Sequence, residues 1–138
     1  MSVAVVGISH RTAPVEIRER LAFSRSEIPT VLARVVGSGA SSEAVLLSTC
    51  NRTELYFSAA DERAGEAAAR ALLAEQWQEP QPISTYLYAH RGRAAVDHLF
   101  RVTSGISGSN SATKSLSRPA NGSSNSTSSR SRTGRSRG

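Results

Sequence analysis

Two short apolar runs, Ala44-Val45-Leu46-Leu47-Ser48 and Glu54-Leu55-Tyr56-Phe57-Ser58, flank the link Thr49-Cys50-Asn51-Arg52-Thr53. Runs of this length, rich in β-branched and aromatic residues, read as strands. A parallel crossover needs about a dozen residues or more, so the link only lets the strands fold back on each other. The chain is therefore expected to build on an antiparallel hairpin with Cys50 near its tip.

The flanking segments supply the partners. Val3-Ala4-Val5-Val6-Gly7-Ile8, closed by Ser9-His10, suits a largely buried strand. Pro14 suits the first turn of a short helix through Val15, Ile17 and Leu21. Ser24 or Ser26 can cap a second helix from Glu27 to Val36, which Gly37-Ser38-Gly39 stops. Asp61 can cap an Ala-rich helix with Ala64, Ala68, Ala71, Leu72 and Trp77 as its apolar positions, ended by Glu79-Pro80-Gln81-Pro82. Thr85 to Tyr88 reads as a fourth strand, and Gly92 to Val102 as an amphipathic helix with Ala95, Leu99 and Val102 on one face and Phe100 beside it. The order βαββαβα predicts an α+β fold of ferredoxin-like βαββαβ type, an antiparallel sheet with helices on one face.

Past Gly105 the composition breaks. Twelve of the last 33 residues are serine, none is aromatic, and only Ile106, Ala112, Leu116 and Ala120 are clearly apolar. Such a stretch buries too little apolar surface to offset the entropy of ordering it, which predicts one domain over residues 1–105 and a disordered tail over 106–138. The tail also carries the charge. Up to Gly105 eleven arginines balance eleven acids, and the net +6 comes from Lys114, Arg118, Arg130, Arg132, Arg135 and Arg137. Net charge is thus no argument that the folded body binds RNA. One cysteine permits no internal disulfide, Met1 to Val6 lacks the basic start and long apolar stretch of a signal peptide, and no apolar run approaches the ~18 residues of a membrane span. A cytoplasmic protein is expected.

A single cysteine is most often a small buried apolar residue. Cys50, between Thr49 and Asn51 at the end of an apolar strand, instead sits where a loop can hold the backbone while the side chain faces a cleft. Only thiolate is nucleophilic, and a nearby cation or hydrogen-bond donor raises its population. Arg52 is the nearest cation in sequence. It can serve the thiolate or grip a substrate carboxylate with two parallel bonds, and its residue type does not choose between these roles. Of the three histidines, His10 suits a loop cap as well as catalysis, His90 beside Arg91 and Arg93 reads as a solvated loop residue, and His98 reads as a half-buried helical residue. One cysteine and three scattered histidines make no metal-ligand pattern, and no GxGxxG follows a strand. No metal and no dinucleotide site is expected.

Three stretches, Gly7-Ile8-Ser9-His10-Arg11-Thr12-Ala13-Pro14-Val15 with Arg18-Glu19, Leu47 to Tyr56 around Cys50, and Asp97-His98-Leu99-Phe100-Arg101-Val102-Thr103-Ser104-Gly105, resemble the N-terminal catalytic domain of glutamyl-tRNA reductase. The resemblance implies that Cys50 attacks the aminoacyl ester of glutamyl-tRNA to leave a glutamyl thioester, which hydride from NADPH reduces to glutamate-1-semialdehyde for tetrapyrrole biosynthesis. It implies substrate-binding roles for Thr49, Asn51 and Arg52 beside Cys50, a catalytic assisting role for His98, and a homodimer.

The family continues with an Asp-Ser-Met segment, an NADPH-binding domain and a dimerisation domain, where this sequence turns polar from Ile106. Gly108 stands where the family uses a substrate-site serine. This chain is therefore expected to lack the family's NADPH-binding and dimerisation domains. An enzyme confined to the thioester half, an inactive truncated product and a basic-tailed RNA-binding module remain as readings. The abrupt change is expected from a reading frame or gene model that shifts near residue 106, the alternative being a genuinely truncated paralogue with a basic tail. Resequencing the coding region is expected to find a reductase continuation in another frame, and a tail encoded in frame with none would remove the idea.

Overall fold

A computed structural model of the chain describes residues 2–105. The predicted disordered tail, 106–138, lies outside the described residues. The elements are β1 (Ser2–Ser9), α1 (Val15–Arg20), α2 (Ile28–Gly37), β2 (Glu43–Ser48), β3 (Arg52–Ala59), α3 (Glu62–Gln76), β4 (Tyr88–Arg91) and α4 (Arg93–Thr103). The sheet order is β2-β3-β1-β4, every neighbouring pair antiparallel. This is the expected ferredoxin-like arrangement, with the hairpin at one side and β1 in the interior.

The pleat sends alternate side chains to opposite faces, and here both faces are covered. On one face Ala4, Val6 and Ile8 of β1 and Leu55, Phe57 and Ala59 of β3 meet Val31 and Val35 of α2 and Ala69, Leu72 and Leu73 of α3. Each large aliphatic or aromatic side chain buried there contributes about 1.5–3 kcal/mol. Gly65 lets α3 approach closely, since a Cβ there would stand 2.7 Å from the Phe57 ring. On the other face α4 lays Ala95 against Val5 and Tyr56, with Leu47 at the margin. The expectation of helices on one face holds for α2 and α3 and not for α4: the βαββαβ unit fills the first face, so the added helix covers the second. Its Leu99 and Phe100 stay exposed, and only Ala95 and Val102 are buried.

Four local expectations shift. Thr85 and Tyr86 close a 3-10 turn, Ile83–Thr85, with Tyr86 N–H donating to Ile83 O at 2.9 Å, so β4 begins only at Tyr88. His90 consequently lies in a strand, not in a solvated loop. The buried stripe of α3 is Gly65, Glu66, Ala69, Leu72 and Leu73, while Ala64 and Ala71 face outward. In an alanine-rich helix the leucines, not the alanines, decide which side is driven inward. Neither Ser24 nor Ser26 caps α2; the Glu27 carboxylate instead accepts from Ser24 N–H and Oγ–H, each at 2.7 Å. Asp61 caps α3 as expected, its Oδ1 accepting from Arg63 N–H at 2.9 Å and Ala64 N–H at 3.2 Å.

Gly7 of β1 faces Glu54 of β3 across the ladder. A Cβ on Gly7 would collide with the Thr53 carbonyl oxygen and stand 2.8 Å from Glu54 Cα and 2.9 Å from Glu54 Cγ. Gly37, at the end of α2, has nothing within 4 Å of the equivalent point. Gly7→Ala is expected to destabilise the domain by about 1–3 kcal/mol through overpacking. Gly37→Ala is expected to be neutral or stabilising by up to about 1 kcal/mol. Urea unfolding of both variants checks this, and equal effects would contradict the packing argument.

Candidate active site

On the α4 side of the sheet, the period of two along β3 aligns Arg52, Glu54 and Tyr56 on one face. Glu54 is fully buried, and its carboxylate gathers donors from three elements. Arg52 NH1 donates to Oε1 at 2.8 Å, Tyr56 OH to Oε2 at 2.6 Å, and Tyr88 OH of β4 to Oε1. His98 Nε2 of α4 lies 2.7 Å from Oε1.

Burial raises the pKa of a carboxyl group, and charge-assisted hydrogen bonds of about 1.5–3 kcal/mol each oppose it. For Glu54 burial is the largest single effect, yet the bonds from Tyr56, Tyr88 and His98 and the Arg52 charge together prevail and hold its pKa below the ordinary 4.5. Burial, followed by Glu54 itself, raises the pKa of Tyr56 and Tyr88 beyond their usual range and keeps both as donors. An ionised carboxylate only accepts, so His98 Nε2 donates to it. The His98 ring lies 4.8 Å from that of His90, tilted by 38°, and meets Tyr88 edge-on at 5.4 Å. His90 titrates below its ordinary value, first through burial and then through His98.

Cys50 is exposed at the hairpin tip. The backbone around it is tied down at each residue. Thr49 N–H donates to Arg52 O at 2.8 Å, Arg18 Nε donates to Cys50 O at 3.2 Å, Asn51 N–H donates to Thr49 Oγ1 at 3.3 Å, and Asn51 O accepts from His10 N–H at 2.9 Å. Beside the tip a cleft of about 270 Å³ is lined by Arg18, Glu19, Ala22, Phe23, Ser48, Thr49 and Cys50. His98 lines a different cleft, of about 200 Å³, with His90, Ala94, Asp97 and Arg101.

The expected residues thus form two groups. Arg52 and His98 meet through Glu54, while Cys50, Thr49 and Asn51 make the tip on the α1 side. Sequence reasoning passed over Glu54, Tyr56, Tyr88 and Arg18. The signal for the first two was the alternation Arg52-x-Glu54-x-Tyr56, a charged pair and a phenol on one face of a strand; Tyr88 and Arg18 carry no such local mark. His10, expected as a loop cap or a catalyst, caps the tip through its backbone, and burial followed by the charges of Arg52, Arg11 and Arg18 lowers its pKa. Among the described residues no group of three His, Cys, Asp or Glu side chains is placed to hold a metal, and no helix is long and apolar enough to cross a membrane. The described residues do not fit NADPH: the sheet is antiparallel, and Gly7 on the first strand packs against Glu54 instead of opening a phosphate-binding turn.

The family model for the glutamyl-tRNAGlu reductase N-terminal domain matches residues 6–109. The glutamyl-tRNA reductase of Pelobacter propionicus is 43% identical over 107 residues, 77% of this chain and 24% of that protein. That of Stenotrophomonas maltophilia is 46% identical over 108 residues, 77% of this chain and 23% of that protein. The solved glutamyl-tRNA reductase from Methanopyrus kandleri aligns with a TM-score of 0.56 at 35% identity, over 77% of this chain and 23% of that one. The chain spans about a quarter of the length of these relatives. Because the match runs unbroken from β1 through the cysteine hairpin and past α4, the chain belongs to the glutamyl-tRNA reductase N-terminal domain family.

Proposed function

We propose that residues 1–105 carry the acyl-transfer half of glutamyl-tRNA reduction. The Cys50 thiolate attacks the carbonyl carbon of the glutamyl ester, a carbon–sulfur bond forms, the carbon–oxygen bond to the terminal ribose breaks, and the ribose oxygen takes a proton. The product is a glutamyl thioester on Cys50. What carries the reading is an exposed cysteine whose turn is anchored at Thr49, Cys50 and Asn51, within a family match over residues 6–109. A positioned nucleophile of this kind replaces one hard displacement by two easier ones. In the family NADPH supplies the hydride that reduces the thioester. No described residue is assigned to that step, and water is the acceptor open to this domain.

Thr49, Asn51 and Arg52 are assigned to the glutamate pocket. Glu54 holds Arg52 in a fixed orientation behind the tip, and a guanidinium so held suits bidentate recognition of a carboxylate better than a lysine would. His98 and Cys50 line different clefts, which favours His98 as a positioning residue acting through Glu54 and Arg52. Direct proton transfer by His98 would instead change the shape of the pH–rate profile on substitution.

The purified chain is expected to deacylate glutamyl-tRNA in a cysteine-dependent manner, with Cys50→Ser slower by at least about tenfold. Equal rates for the two would remove the enzymatic reading. His98→Asn is expected to lower the rate without moving the pH profile, which rate measurements across pH decide.

Glu54 also predicts a stability signature. Its folded pKa lies below 4.5, so the stability it supplies is fully present above that value and is lost as pH falls through the lowered folded value. Glu54→Gln leaves Arg52 buried without its carboxylate partner and is expected to cost about 3–5 kcal/mol at neutral pH. Urea unfolding at neutral and acid pH should show wild type losing more stability on acidification than Glu54→Gln. Parallel losses in the two proteins would rule out an ionised, donor-held Glu54.

A further inference from the structure

Arg18 lies on α1, 32 residues from Cys50 in sequence, and the fold brings its side chain to the hairpin tip. Its guanidinium spans two backbone carbonyls, NH1 donating to Ala13 O at 2.9 Å and Nε donating to Cys50 O at 3.2 Å. The first bond ties it to the turn that precedes α1, and the second to the cysteine itself. A planar fork can hold two such acceptors at once, whereas an ammonium on a flexible stem is a point charge. Ser48 reinforces the same junction, its Oγ accepting from Phe23 N–H at 3.0 Å. The half-buried Arg18 also lines the cleft beside the tip, together with the acidic Glu19, Ala22 and Phe23.

We propose that Arg18 is a positioning residue for Cys50: it locks the hairpin tip onto α1 and sets a positive charge in the cleft that favours electrophiles carrying a negative charge near the reacting carbon. Arg18 is then the cation that lines the thiol cleft, while Arg52 reaches the tip from behind, paired with Glu54. The substrate chemistry this selects is an acyl donor with an anionic group, such as an acidic aminoacyl ester. The inference rests on reading Cys50 as the nucleophile.

Cys50 is the only cysteine of the chain, so every thiol adduct reports on this site. Iodoacetate and iodoacetamide share size and leaving group and differ in charge. With either reagent a carbon–sulfur bond forms as the carbon–iodine bond breaks, iodide leaves and the thiol proton passes to solvent. Mass spectrometry of the full chain gives both rates, and their ratio cancels changes in general accessibility of the tip. Arg18→Gln is expected to lower the iodoacetate-to-iodoacetamide ratio about three- to tenfold, as removal of one nearby unit charge in a solvated cleft should. Arg18→Lys, which keeps the charge and loses the two-carbonyl span, should fall between Arg18→Gln and wild type. Glu19→Gln should move the ratio upward. Arg20→Gln removes an equal charge from the same helix at a residue paired with Glu79, and should leave the ratio unchanged.

An unchanged ratio in Arg18→Gln, or an equal fall in Arg20→Gln, overturns the proposal. Should Arg18→Gln fail to fold, salt decides on wild type alone: added sodium chloride should screen the cleft and lower the ratio, and a salt-insensitive ratio counts against Arg18. Alkylation needs no glutamyl-tRNA. A chain that fails to deacylate the ester but keeps the Arg18-dependent ratio would refute the acyl-transfer reading and leave the positioning role intact.

Discussion

An ionised carboxylate with no access to water is tolerated only where protein donors replace its hydration, and the donors of Glu54 come from three separate elements. Arg52 and Tyr56 flank it on β3, Tyr88 reaches it from β4 and His98 from α4. An isolated charge in such a place costs several kcal/mol, so the native arrangement is stable only when β4 and α4 dock in the register that brings their donors within reach. Apolar contacts on this side of the sheet are few, chiefly Ala95 against Val5 and Tyr56. The carboxylate therefore supplies much of the orientation of α4, and Gly7 opposite makes the room it occupies.

The sheet separates two kinds of interior. Its one face carries a continuous apolar core under α2 and α3, and its other face carries the polar cluster under α4. An apolar core resists deformation because it is close-packed, and a fully paired polar cluster resists it because any displaced donor leaves a charge unmet. The cysteine turn projects from the end of a hairpin whose strand β3 is buried along its whole length between these layers. Its own backbone is bonded to the β1–α1 segment through His10 and Arg18. An exposed thiol on a rigid support is what attack on a bulky ester requires, since the ester must approach from solvent while the nucleophile stays in place.

Much of this was readable in advance where the physics is local. The hairpin, the Asp61 cap and the βαββαβ order follow from alternation, short connections and a side-chain acceptor beside free backbone N–H groups. The α3 face was misread because alanine is nearly indifferent to burial, so Ala64 and Ala71 were no guide and Leu72 and Leu73 decided. Thr85 and Tyr86 have strand propensity, yet they close a 3-10 turn and leave the ladder to Tyr88, where pairing with Gly7 begins. His90 beside two arginines has the composition of a loop, and only that register turns it toward His98.

For the candidate site the division is equally physical. By itself the sequence determined that Glu54 and Tyr56 share a face, because the period of a strand is two, and that Cys50 sits at a tip, because its link is short; that the strand begins as early as Arg52 came from the structure. It also determined the family, through motifs that need no coordinates. Whether that face would be buried, and by what, was decided by α4, whose His98 lies 44 residues from Glu54 in the chain. The tertiary structure likewise decided that Arg18, not the neighbouring Arg52, lines the cysteine cleft. Periodicity says which side chains point the same way, but the energy of a charge depends on the donors around it, and those are assembled only when distant segments pack.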